Sequence, residues 1–275
     1  MNGTIAQLVA LTCHGNAFLR KRGERPRFFP DNSTCKFCDR INFVELHKPF
    51  FGKAKESPVA STPDEWFEHL ARKSALGLRL CHQSQNLLHV SDRMTAGLVG
   101  GGGAWSIAVR YSASTDYWIS DWEVWNREAP EQRIWRVKYR LAASASSPPR
   151  ATMSTADAAN ALESALIQIH AFAQAHDCSP FTESFGRALD SLTDPQAQHG
   201  CHKDLCDDGM LSSMGRAMLD AVQSASVFGG MGSWNDLGFD GDAQGKYDEV
   251  SSRLYAALND AICAAANESD APPTQ

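Results

Sequence analysis

Two cysteines in the N-terminal half have a spacing that could bind a metal. Cys35 and Cys38 are separated by two residues, which lets both thiolates reach one tetrahedral zinc ion. A closed site needs two more ligands, and the candidates are Cys13, His14, His47, Cys81 and His82. The pattern predicts a structural zinc site made by Cys13, Cys35, Cys38 and Cys81. Reduced thiols without metal and a redox or catalytic use are the alternatives, although the strand-like residues after Cys38 do not suit a redox pair.

Two further stretches could carry chemistry. Residues 199–209 contain several possible metal ligands, and we interpret them either as a solvated loop between helices or as a second metal site. The run GLVGGGG at 97–103 lacks the lysine and hydroxyl of a phosphate-binding loop, so it predicts a hairpin tip or a bulge, or alternatively a loop that gates a substrate. Neither a nucleophile elbow nor an H-E-x-x-H motif occurs. A catalytic site is therefore not indicated.

The charge is distributed unevenly along the chain. The net charge is −6, but residues 1–150 hold 21 Lys and Arg against 14 Asp and Glu, whereas residues 151–275 hold five against 18. Two parts of opposite charge can attract each other or bind partners of opposite charge. The one dense basic run consists of Arg20, Lys21, Arg22, Arg25 and Arg27. It predicts a solvated loop, a site for nucleic-acid phosphates, or a surface that docks onto the acidic half.

The N-terminus and the cysteines indicate the compartment. The basic residues follow the apolar run TIAQLVALT instead of preceding it, which is the wrong order for a signal peptide. Without export, the eight cysteines are expected to be reduced thiols or metal ligands. We therefore expect a cytoplasmic protein. We expect no membrane span, because the longest apolar runs are too short.

Hydrophobic periodicity predicts an α+β fold with two parts. A small, polar segment with two prolines, residues 142–155, separates them. The predicted parts are a basic β-rich domain over 1–145, an acidic helical bundle over 154–266 and a disordered tail over 267–275. In the first part we predict strands at TIAQLVALTC, after Cys38, near Cys81 and from Ala104, and a hairpin formed by DYWISDWEVWN and QRIWRVKYRLAA. Residues 62–76 predict the one helix of this part, since Thr62, Pro63 and two acids form a typical helix start.

The second part has helical periodicity. Residues 155–176 place apolar side chains on one side of a helix, namely Ala158, Leu162, Ala165, Leu166, Ile169 and Phe172. Three more helical segments follow, near 179–192, 210–228 and 246–266. Four helices joined by short loops predict a small bundle.

The stretch GGMGSWND at 229–236 lies between the last two helices. A glycine can end the preceding helix, and the polar residues can hold a tight turn. Trp234 is then expected either to fill a space between helices as an apolar plug or, with Asn235 and Asp236, to form an exposed recognition loop.

The same stretch carries a resemblance. FGGMGSWNDLGF, followed by YDEVSSRLYAAL, resembles a small helical domain found in uncharacterised bacterial proteins, some of which are similar to immunity proteins of toxin systems. The resemblance covers about residues 155–265, and its one sharp motif is 229–236. It implies a bacterial source and an interaction role, and it assigns no catalytic residue.

These observations give three hypotheses for function. The first is a non-catalytic bacterial interaction protein, of the toxin-neutralising or defence-accessory kind, that binds a basic protein partner such as a toxin with Trp234, Asn235 and Asp236 at or near the contact. The second is a zinc-knuckle protein that binds nucleic acid through the basic half. The third is an unrecognised thiol or metal enzyme, which predicts a cleft that gathers Cys13, His14, Cys81 and His82.

Overall fold

A computed structural model of the protein has a mixed α+β fold. The described residues, which are 1–21, 27–47, 55–85, 90–147, 149, 151–194 and 196–270, form one six-stranded sheet and seven helices. The presence of one sheet together with these helices confirms the predicted α+β class. None of the helices in these ranges is long and apolar enough to cross a bilayer.

The elements follow one another along the chain in a mixed order. The helices are α1 (Gly3–Arg20), α2 (Pro63–Arg72), α3 (Asp92–Thr95), α4 (Thr155–Ala175), α5 (Ser179–Thr193), α6 (Ser213–Ala225) and α7 (Asp242–Glu268). The strands are β1 (Cys38–His47), β2 (Lys55–Ala60), β3 (Gly77–Gln83), β4 (Ala104–Arg110), β5 (Thr115–Val124) and β6 (Trp135–Ala145). Short 3-10 turns lie at Ser33–Cys35, Pro130–Gln132 and Trp234–Asp236.

The first element is a helix, so the prediction of a strand at TIAQLVALTC is wrong. The Asn2 side chain accepts a hydrogen bond from the Ile5 N–H and caps α1, and all residues from Ala6 to Cys13 are buried. A continuous apolar run of this length does not distinguish a buried strand from a buried helix, and the polar cap decides for the helix. The N-terminal part therefore has α1 and the short α3 in addition to the one predicted helix, α2.

Helix α2 begins where the sequence predicts. The Thr62 hydroxyl accepts a hydrogen bond from the Glu65 N–H at 3.2 Å, and the Glu65 carboxylate accepts one from the Ser61 N–H at 2.7 Å. The first bond satisfies a free N–H of the first helical turn, and the second ties the residue before the cap to the helix. Pro63 occupies the first turn, where its missing N–H costs nothing.

The sheet has the strand order β2-β1-β6-β5-β4-β3. Strands β1 and β6 are parallel, and every other neighbouring pair is antiparallel. The predicted hairpin is confirmed as β5 and β6, with Asp121 opposite Lys138. Strand β3 is left at one edge of the sheet.

An aromatic stack fills one face of the sheet. Phe43 on β1 stacks on Trp66 of α2 at 4.4 Å and on Tyr139 of β6 at 5.1 Å, and Trp118 of β5 meets Trp66 edge-on. All four side chains are buried. The Tyr139 hydroxyl donates a hydrogen bond to Gln7 of α1 at 2.9 Å, so this buried hydroxyl is satisfied. This contact fixes α1 over the sheet.

Helices α4 to α7 pack against one another. The six apolar residues predicted to face inward on α4 are all buried. Helix α7 continues to Glu268, and Ser269 and Asp270 after it are held by hydrogen bonds and an ion pair. Residues 267–270 are thus ordered, which corrects the predicted tail there. Residues 271–275 of that prediction lie outside the described residues.

The two parts of the chain share one set of contacting buried side chains. The separation into two domains remains a prediction. The clearest link between the parts lies at the free edge of β3. The Asn267 side chain of α7 accepts a hydrogen bond from the Leu80 N–H at 2.7 Å and donates one to the Leu80 carbonyl at 2.9 Å.

Helix α1 contributes a second bond pair of the same kind. The Asn16 side chain accepts from the Leu78 N–H at 2.7 Å and donates to the Leu78 carbonyl at 2.9 Å. Two side-chain amides therefore stand in for a missing neighbouring strand. Because the edge groups are buried, leaving them unpaired would be costly.

We expect Asn267→Ala to destabilise the protein by about 2 to 4 kcal/mol, because it leaves a buried N–H and a buried carbonyl of Leu80 without partners. The matched control is Asn160→Ala on the exposed face of α4, which should change the free energy of unfolding by less than about 0.5 kcal/mol. Denaturant unfolding of both variants measures the difference. Equal stabilities for the two variants would contradict this role of Asn267.

Candidate functional site

Trp234 is the buried centre of the stretch at 229–236. Its side chain has no exposed surface, and its indole N–H donates a hydrogen bond to the Ser251 hydroxyl at 2.7 Å. The rings of Phe181 and Phe185 on α5 meet it edge-on at 5.2 and 5.3 Å. The indole is thus an apolar plug in the helical bundle, and it anchors the loop from within.

Asn235 connects this loop to the N-terminal part. Its side-chain amide donates to the Arg93 carbonyl at 2.9 Å and its side-chain oxygen accepts from the Arg93 guanidinium at 3.2 Å. The same guanidinium forms an ion pair with Asp248 of α7 at 3.1 Å. Arg93 is 6% exposed, so its buried charge is compensated by these partners.

The two glycine-rich stretches of the sequence meet in the structure. A Cβ atom added to Gly97 would lie 2.3 Å from the carbonyl carbon of Gly229 and 2.5 Å from the nitrogen of Gly230. Any side chain at Gly97 would therefore clash with backbone atoms. We call residues 94–99 and 229–236 together the two-loop surface.

Large apolar side chains project from the two-loop surface. Met231 is fully exposed, Leu98 and Val99 are 65% and 62% exposed, and Met94 is about half exposed. Asp236 is also exposed, and its carboxylate accepts a hydrogen bond from the Gly232 N–H. Apolar groups on rigidly held loops, with a carboxylate beside them, are typical of a protein-binding surface.

The end of the first glycine run is tied down. The Gly102 carbonyl accepts a hydrogen bond from the Tyr255 hydroxyl of α7 at 2.8 Å, and it lies 3.2 Å from a ring nitrogen of His82 on β3. Gly102 and Gly103 have φ values of +82° and +91°, which glycine adopts without strain. The run therefore forms a turn between α3 and β4, and its backbone is contacted by side chains from α7 and β3.

The structure brings two of the four predicted zinc ligands together. Cys35 and Cys38 flank one turn beneath α1, and burial raises the pKa of Cys38 to about 11. Burial, with the neighbouring Cys38, raises the pKa of the Cys35 thiol further. Cys81 lies apart on β3 and lines a cleft. Across the described ranges, no three His, Cys, Asp or Glu side chains are arranged to hold a metal ion, and the zinc site remains a prediction.

Cys13 and His14 on α1 contact the loop at 199–209. The Cys13 thiol and burial raise the pKa of the Cys206 thiol, and His14 lies between the Asp207 carboxylate at 3.1 Å and the Asp204 carbonyl at 2.9 Å. The Asp204 carboxylate in turn accepts a hydrogen bond from the Ser33 N–H at 2.7 Å. This loop is thus attached to α1 and to the turn at Ser33, and it is partly buried.

The basic run is described only in part. Lys21 and Arg27 are exposed, and Arg20 donates a hydrogen bond to the Ser269 carbonyl at 2.6 Å. Arg22 and Arg25 lie outside the described residues. The predicted nucleic-acid contact remains a prediction.

Comparison with known proteins gives no match, whether with family models, curated proteins or solved structures. The resemblance of the 229–236 stretch to bacterial helical domains therefore stays a prediction.

Sequence reasoning missed the apolar residues of the two-loop surface and the buried Arg93. One signal could have indicated the first group, because Leu98, Val99 and Met231 are large apolar residues flanked by glycines. Apolar side chains in such segments have no helix or strand face on which to pack. Nothing in the sequence distinguishes Arg93 from a solvated arginine.

The pair of His14 and Asp207 makes a pH-dependent contribution to stability. Burial opposes the charged imidazole, but the hydrogen bonds to Asp207 and to the Asp204 carbonyl outweigh it and raise the pKa of His14 above 6.5. The hydrogen bond from His14 lowers the pKa of Asp207 below 3.8, against the effect of burial. The stability that His14 contributes is complete below the pKa of an unfolded histidine and is lost as the pH rises through the raised pKa of His14. The stability that Asp207 contributes is complete above the pKa of an unfolded aspartate and is lost as the pH falls through the lowered pKa of Asp207.

We therefore expect the pair to stabilise the protein most between about pH 4 and pH 6.5. Asp207→Asn should lower the pKa of His14, as measured by NMR titration of its ring. Asp208→Asn, at the exposed neighbouring position, is the control and should leave it unchanged. A wild-type His14 that titrates below 6.5 would contradict the assignment.

Proposed function

We propose that this protein is a non-catalytic interaction protein that binds a basic protein partner through the two-loop surface. The observation that carries the proposal is the exposure of Met231, Leu98 and Val99 on two loops whose backbones touch. Both loops are held from behind, by the buried Trp234 and by the buried Arg93. Because the loop backbones are already held in place, binding costs little backbone entropy, which favours affinity.

The acidic surroundings favour a basic partner. Asp236 lies within the surface, and Asp240 and Asp242 follow it and are exposed. Nearby, Lys246 and Arg253 both pair with Glu249, so they do not neutralise these three carboxylates. A partner with an apolar side chain flanked by lysine or arginine would satisfy both features.

The toxin-neutralising or defence-accessory role is the specific form that we propose. It is supported by the resemblance of residues 229–236 and by the acidic charge of the second half of the chain. The enzyme hypothesis has less support, because His14 contacts the loop at 199–209 whereas His82 lines a cleft beside β3.

The test needs the partner as a purified protein. Affinity capture from the cells that express the chain, followed by mass spectrometry, supplies the candidate, which is then purified for calorimetry. We expect Met231→Ser and Asp236→Asn each to weaken binding about 10- to 30-fold, because they remove an apolar contact and a charge from the centre of the surface. The Asp236→Asn substitution keeps an acceptor for the Gly232 N–H.

The control is Asp190→Asn, which makes the same charge change at an exposed position on α5 and should leave the affinity unchanged. The affinity of the wild-type protein should also fall with added salt. Unchanged binding by both surface variants would refute the proposal, as would a partner that proves to be nucleic acid or a second copy of this chain.

A further inference from the structure

A cleft of about 1100 Å³ lies towards the β3 edge of the sheet, between β3, β4 and β5 on one side and α3 and α7 on the other. Its lining includes His82, Asp92, Trp105, Tyr255 and Asp260. We call it the sheet-edge cleft. Its volume is that of a site for a small organic molecule.

Aromatic rings form part of the wall. The His82 ring packs against the Trp105 indole at a tilt of 40° with centroids 4.5 Å apart, and Tyr255 reaches across from α7 to the Gly102 carbonyl. The position of Gly103 beside these rings has no room for a side chain, because a Cβ atom there would lie 2.4 Å from a ring nitrogen of His82. The wall is therefore rigid and partly apolar.

Most charged groups of the cleft already have partners. The Asp92 carboxylate accepts hydrogen bonds from the Ser84 hydroxyl at 2.7 Å and the Gln85 N–H at 3.0 Å. Arg93 also lines the cleft, but its guanidinium is paired with Asp248. Burial lowers the pKa of His82, which favours the neutral ring, and burial raises the pKa of the Cys81 thiol.

Asp260 is the exception. It is exposed on the face of α7 that lines the cleft, and its carboxylate has no hydrogen bond or ion pair with any described residue. Partial burial in the cleft raises the pKa of this carboxylate, and the nearby His82 ring opposes part of that rise. A carboxylate that has no hydrogen-bond or ion-pair partner among the described residues, and that lies beside aromatic rings, favours a cation and repels phosphates and carboxylates.

We propose that the sheet-edge cleft binds a small organic cation, an amine or guanidinium compound whose charged group pairs with Asp260 and whose body lies along Trp105 and Tyr255. This site is separate from the two-loop surface, so a protein partner and a small cation would bind to different groups. The inference therefore does not depend on the proposed function.

The test uses defined probes with the full chain. Binding of tyramine and agmatine is measured by calorimetry, with 4-ethylphenol as the probe that has the ring of tyramine but no ammonium group. We expect both cations to bind and 4-ethylphenol to bind at least about tenfold more weakly. Asp260→Asn should weaken cation binding about 10- to 100-fold, because a charge-assisted hydrogen bond is lost. Asp242→Asn, an exposed position at the start of the same helix, should have no effect.

A second variant tests the site by filling it. Ala256 lies one turn before Asp260, is exposed and lines the cleft, so Ala256→Lys would place an ammonium group beside the carboxylate. We expect this variant to keep the wild-type melting temperature within a few degrees and to lose probe binding. The inference is overturned if neither cation binds the wild-type protein, if 4-ethylphenol binds as tightly as tyramine, or if Asp260→Asn and Ala256→Lys bind the cations as the wild type does.

Discussion

The unpaired edge of β3 is the constraint on which the rest of the structure depends. A buried edge strand must find partners for its backbone groups, and here the side chains of Asn16 and Asn267 supply them at Leu78 and Leu80. One asparagine comes from the first helix and the other from the last. The two ends of the described chain are thereby fixed side by side over the sheet.

This arrangement determines where α7 runs and what it can reach. Its C-terminal end is fixed to β3, its middle carries Tyr255 and Asp260 along the sheet-edge cleft, and its first turns reach Arg93 through Asp248. The two glycine-rich loops meet beside that last contact. Both candidate sites are therefore built from the junction between the sheet and the helical bundle.

Local signals in the sequence predicted much of the fold. The cap at Thr62, the alternation in β5 and β6 and the apolar stripe of α4 each indicated an element, because the information lies within a few residues. The first helix was mistaken for a strand because its apolar run lacks a period. The candidate sites could not be predicted, since the contact of Gly97 with Gly229 and the pairing of Asn267 with Leu80 join residues far apart in the chain. Trp234 could be interpreted both as a plug and as a contact, and its position in the fold makes it a plug.

The most direct test of this account is amide hydrogen exchange at Leu78 and Leu80, measured residue by residue by NMR. On an ordinary edge strand, N–H groups that point away from the sheet exchange rapidly with solvent. Here both donate to asparagine oxygens at 2.7 Å, so we expect them to be as strongly protected as the N–H groups of the central strands β5 and β6. Rapid exchange at both positions would contradict the account, because the first and last helices would then not be fixed to the sheet edge.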